Sequence, residues 1–152
     1  MAIKINCENR NRRRTVDLDG AKRAASMVLR GMGRRAAEVN IVFASDAAIK
    51  SLNRTYLGID APTDVIAFHE RGVKWPSLSK AGNSFAGEIV ISSDTAKRNA
   101  AAYGVTFEKE IMLLVIHGTL HLMGLEDYSA KGRARMRRKE NGFLQKAERF
   151  SR

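Results

Sequence analysis

The stretch HGTLHLMGLED, His117 to Asp127, concentrates groups that could bind a metal ion. Two of the chain's three histidines stand four residues apart in it. On a helix such positions lie one above the other, ~6 Å apart along the axis, so both imidazoles can reach one ion. Gly124 can take the left-handed conformation that ends a helix. Asp127, ten positions after His117, then approaches the same ion from a third direction. The spacing H-x3-H-x2-G-x2-D matches the metzincin arrangement H-E-x-x-H-x-x-G-x-x-H with two changes. Gly118 replaces the general-base Glu, so peptide hydrolysis by the usual route loses support, and Asp127 replaces the third His. A lone histidine on an apolar helix is more often a core residue with one hydrogen bond. A pair at this spacing, followed by Gly and an acid, points instead to ligands. The predicted site is one Zn²⁺ per chain on His117, His121 and Asp127.

Several elements must position that site. Ile3 and Ile5 alternate as a strand, and NRNRRR at 9–14 reads as a basic turn or strand end. A helix starts near Asp19 and ends at GMGRR, 31–35. Val39, Ile41 and Phe43 form a second strand. Ser45 or Asp46 caps a helix carrying Ile49, Leu52 and Tyr56. Val65 to Phe68 is a short strand, 70–86 a loop, and GEIVIS a further strand. Ser93 or Asp94 caps a helix through Tyr103. Phe107 to Met123 is apolar nearly all round and should be buried. Ser129 to about Phe150 is a basic amphipathic helix with a potential break at Asn141-Gly142. The order β-α-β-α-β-β-α-α-α predicts one layered structure of helices on a mixed sheet.

At 152 residues the chain reads as one domain, 1–152, and 44% hydrophobic residues suffice for a core. The formal net charge of +11 calls for a polyanionic partner, nucleic acid first. Cys7 is the single cysteine, so no internal disulfide forms. The N-terminus lacks an apolar signal region, and the run Ile111 to Ile116 is too short to span a bilayer. A cytoplasmic protein is the expectation; oligomeric state is not specified.

HGTLHLMG resembles the YbeY family of bacterial rRNA maturation endoribonucleases, whose motif reads H-G-x-L-H-L-x-G-Y-D-H. LNRTYLGIDAPTDVIAF at 52–68 is similar to the family's L-N-x-x-Y-R-x-x-D-x-P-T-D-V-L-S-F, and GEIVIS at 87–92 to its G-D-I-V-I-S. The three blocks occur in the family's order. The resemblance implies an α+β fold: a mixed sheet of about four strands flanked by helices, with a buried central helix binding zinc. It also implies ribosomal RNA and the small ribosomal subunit as partners. Departures from the pattern bear on activity. The third His falls on Asp127, the motif Tyr on Leu125 and the strand acid on Glu88. The Arg after the Tyr, thought to hold phosphate, falls on Leu57, with Arg54 about one helical turn earlier.

The leading reading is a single-strand-specific, metal-dependent endoribonuclease in rRNA processing, of reduced strength because of Leu57 and Asp127. The alternative is an RNA- or ribosome-binding assembly factor with a structural metal. No side chain is an obvious general base; Arg54, Asp64 and Glu88 are the catalytic candidates. Asp64 reads first as the cap of a turn, and His69 as a surface residue rather than a substitute ligand. Arg133, Arg135, Arg137 and Arg138, with Lys131 and Lys139, suit a phosphate grip better than base readout. Trp75 and Phe85 could stack on bases or anchor the loop.

Overall fold

The computed structural model describes residues 2–69 and 85–150, the side chains of Phe85 and Phe150 excepted. The expected loop at 70–86, with Trp75, lies almost wholly outside the described residues. The elements are β1 (Ile3–Asn9), α1 (Leu18–Gly31), β2 (Ala37–Ala44), α2 (Asp46–Leu57), β3 (Val65–His69), β4 (Phe85–Ser92), α3 (Ser93–Tyr103), α4 (Phe107–Leu122) and α5 (Ala130–Phe150). They follow the predicted order and give the α+β class. The sheet runs β1-β2-β4-β3, with β1, β2 and β4 parallel and β3 antiparallel to β4.

Strand alternation divides the core. Val39, Ile41 and Phe43 of β2 and Ile89 and Ile91 of β4 meet α1 and α4 on one face. Ala44, Val90 and Ile66 meet Ile49 and Leu52 of α2 on the other. Each fully buried side chain of this size contributes ~1.5–3 kcal/mol. Helix α4 lies among α1, α3, α5 and the sheet, which is why it is apolar nearly all round. Gly118 marks its closest approach: a Cβ there would stand 2.8 Å from Ile89 Cγ2 and 3.2 Å from Val65 Cγ2.

Two details differ from the sequence expectation. Helix α3 is capped by Ser92, whose Oγ accepts from Thr95 N, not by Ser93 or Asp94. Three candidate caps stand in a row, and the first is taken because β4 ends at Ser92, where GEIVIS ends, and α3 starts at once with Ser93. Helix α5 shows no break at Asn141-Gly142, because Met136 and Phe143 are buried on either side and hold it to the body.

Ser92 also joins two helix N-termini. Asp46, first residue of α2, accepts from Ser92 Oγ at 2.7 Å, Thr95 Oγ1 at 2.6 Å and Arg98 at 2.7 Å. Burial alone would raise the Asp46 pKa, but Arg98, Thr95 and Ser92 together hold it at about 2, against an ordinary 3.8. A lowered folded-state pKa stabilises above the unfolded value and is lost as pH falls through the folded one. Acid sensitivity from this group should thus fall between pH ~4 and ~2. Urea unfolding midpoints followed over that window should drop less steeply in Asp46→Asn than in the parent. Parallel curves would remove Asp46 as a source of the acid response.

Candidate metal centre

Helix α4 places His117 and His121 on its least buried stripe. Gly124, at φ 94°, then turns the chain away. Leu125, 8% exposed, plugs the core and anchors the turn. Glu126 folds forward, accepting from Tyr128 N at 2.9 Å, Ser129 N at 3.2 Å and Ser129 Oγ at 2.8 Å. Asp127 is left between these anchors, facing the histidines.

The three donor atoms form a small triangle. His121 Nε2 stands 2.9 Å from His117 Nε2, and Asp127 Oδ2 stands 3.5 Å from each. Donors of a tetrahedral zinc site, with bonds of ~2.0–2.2 Å, lie roughly 3.3–3.6 Å apart. The two Asp127 separations match that range and the His117–His121 separation is shorter; in chemistry the set suits a divalent cation, and it is the one such cluster among the described residues.

Behind His117 stands Glu140 of α5, its Oε2 bonded to His117 Nδ1. That contact assigns the ring proton to Nδ1 and leaves the Nε2 lone pair facing the cluster. Side-chain exposure rises from 14% at Glu140 through 21% at His117 and 29% at His121 to 43% at Asp127. The centre is thus closed at the Glu140 end and open at Asp127. Burial alone would lower the His117 pKa; the hydrogen bond and charge of Glu140, then Asp127 and Asp64, outweigh it and raise it. The surroundings favour positive charge at this ring, whether a proton or a cation. Glu110, about two helical turns before His117, is 3% exposed. Burial raises its pKa, helped by Asp64 and Glu140 and opposed by Asn99.

Sequence reasoning missed Glu140 and Glu110. The signal for Glu140 was an acid closing the run of cations that opens α5. Of the catalytic candidates, Asp64 contributes negative charge felt at both His117 and Glu110, and its carbonyl accepts from Ser92 N at 2.9 Å. Glu88 shares its register with Asn40 and Phe68, on the face of the sheet turned away from α4. Arg54 and Leu57 belong to α2, which packs on that same far face. His69 ends β3, exposed and outside the cluster of three. On α5, at 100° per residue, Arg133 and Arg137 lie within about 60° of Glu140. Arg135 and Arg138 lie on the opposite side.

Asp127→Ala is expected to weaken divalent-metal binding far more than Glu126→Ala, because Glu126 spends its oxygens on the turn. Competition with a metal indicator dye measures both. Equal losses would mean that the turn, not the Asp127 carboxylate, matters.

Fold and centre together define an α+β protein with a histidine-histidine-carboxylate cluster on a buried helix. The model of the family Endoribonuclease YbeY matches residues 6–148. The Endoribonuclease YbeY of Moorella thermoacetica is 43% identical over 111 residues, covering 71% of both chains. That of Geobacter metallireducens is 34% identical over 138 residues, covering 91% of this chain and 89% of its own. The solution structure of TM1509 from Thermotoga maritima superposes with a TM-score of 0.64 at 27% identity, covering 94% of this chain and 88% of that one. The chain belongs to the Endoribonuclease YbeY family.

Proposed function

We propose that the protein is a zinc-dependent, single-strand-specific endoribonuclease acting in ribosomal RNA maturation on the small ribosomal subunit, in the cytoplasm, with residues 1–152 working as one domain. The observation carrying this reading is the donor triangle of His117, His121 and Asp127, open on one side, in a member of an endoribonuclease family. Two imidazoles and a carboxylate with a free fourth position are a zinc donor set. A bound cation supplies Lewis acidity and neutralises charge developing on the phosphodiester. Glu140 orients His117 and strengthens it as a donor. Among Arg54, Asp64 and Glu88, the charge of Asp64 is felt at His117 while Arg54 and Glu88 belong to the far face of the sheet, which makes Asp64 the candidate for the proton-accepting role. Tyr128 follows Asp127 directly and is 85% exposed, a ring on which an unpaired base can stack. Arg133 and Arg137 share the Glu140 side of α5 and suit the flanking phosphates, with Arg135 and Arg138 as outer contacts. No helix among the described residues is long and apolar enough to cross a membrane.

The second reading, an RNA-binding assembly factor with a structural metal, is favoured by Leu57. It is 55% exposed where the family motif carries Arg. One experiment separates the two. Purified protein is given a single-stranded RNA oligonucleotide and its duplex, with chelator and then with zinc restored. Cutting of the single strand alone, lost on chelation and recovered with zinc, is expected. Tight binding without cleavage at any metal loading would select the assembly factor.

A further inference from the structure

The turn between β1 and α1 carries Arg10, Arg12, Arg13 and Arg14, and the centre described above does not use it. Its shape is fixed from within. Asn11 is 4% exposed and donates from Nδ2 to Ser93 Oγ at 2.8 Å and Asp94 Oδ1 at 3.0 Å. Asn9 donates from Nδ2 to the Arg14 carbonyl at 2.7 Å and accepts from Asn11 N at 2.9 Å. Arg10 N donates to the Phe43 carbonyl at 2.8 Å. These bonds tie the turn to β2 and α3, far more than a plain connection requires, and they hold its arginines in place.

The turn sits at the carboxyl ends of β1, β2 and β4, the edge of a parallel sheet where ligand crevices form. A concavity of about 640 Å³ opens there, lined by the four arginines of the turn, Arg98, Asp46 and Asp94. The two aspartates are committed inward. Asp46 is taken by Ser92, Thr95 and Arg98, and Asp94 by Asn11, Arg14 and the Asp46 amide. Their role is to fix Arg14 and Arg98. Arg12 and Arg13 are exposed and join no ion pair among the described residues.

We propose that this arginine pocket binds the sugar–phosphate backbone of single-stranded RNA, as a second contact apart from the metal centre. The inference rests on RNA being the substrate, as argued above. Guanidinium groups pair with phosphate oxygens at two points, and cations spread around an open concavity suit successive phosphates better than one small anion. Ser92 connects the pocket to the start of β3. It donates from Oγ to Asp46 on the pocket side and from its backbone N to Asp64 on the metal side.

The test is anisotropy of a labelled single-stranded RNA oligonucleotide in chelator, so that nothing is cut, over a series of salt concentrations. Arg12→Ala/Arg13→Ala should raise Kd about tenfold and lower the slope of log K against log salt by about 1.4, two contacts at ~0.7 each. Arg12→Lys/Arg13→Lys should recover most of the slope. Circular dichroism checks that both variants keep the fold, as exposed positions allow. An unchanged Kd and slope, with the parent binding RNA well, would overturn the pocket and leave the nuclease reading standing. Loss of binding to phosphatidylserine vesicles with RNA binding unchanged would also overturn it, in favour of a lipid surface. A parent protein that binds no RNA would overturn the functional reading itself, and the pocket with it.

Discussion

Replacing His117 and His121 together with alanine is expected to leave the protein without bound divalent metal and without measurable cleavage of single-stranded RNA. The two rings supply two of the three donors in the triangle, and one carboxylate at an exposed turn cannot retain an ion alone. The loss of cleavage should exceed the ~10²–10³ that follows removal of a single charge-stabilising group. The fold should survive. Neither ring is fully buried, while Ile116, Leu120 and Leu122 beside them carry the packing of α4. Elemental analysis, single-turnover cleavage and circular dichroism together give the result. A folded double variant that cuts RNA at the parental rate would remove the metal centre from the mechanism.

Glu140→Gln is the second large effect expected. Gln keeps the shape and an acceptor for His117 Nδ1 but loses the negative charge. A carboxylate behind a ligating histidine is commonly worth 10–100-fold in metal affinity, and a loss of that order is predicted for zinc. At limiting zinc, cleavage should fall in step; at excess zinc most of it should return, because Glu140 positions a ligand and touches no substrate. The metal dependence therefore carries the test. If Glu140→Gln binds zinc within about twofold of the parent, the His117–Glu140 contact only fastens α5 to α4.

These two predictions mark where reading the sequence succeeds and where it stops. The histidines and Asp127 were legible because their relation is local: one helix, a glycine at positive φ and a short turn. Element order was legible for the same reason, from alternation in β2 and the Ser45 cap of α2. Glu140 was not. It lies 23 positions from His117, directly after a run of cations that reads as a phosphate grip, and only the docking of α5 on α4 joins the two. The far-face position of Glu88 likewise follows from the register of β3 on β4. The uninterrupted α5 shows packing overriding local propensity. Gly142 costs an exposed helix about 1 kcal/mol relative to alanine, and its buried neighbours outweigh that.

The closeness of α4 to the sheet at Gly118 also bears on the evolutionary paths open to this scaffold. The related zinc-peptidase pattern needs a glutamate at that position, and here Ile89 and Val65 already occupy the space that even a methyl group would take. Acquiring peptidase chemistry would require the helix to lift from β3 and β4 at the same time as the new side chain arrived, with the donor triangle disturbed in between. The packing that positions the histidines thus also keeps a longer side chain out of position 118.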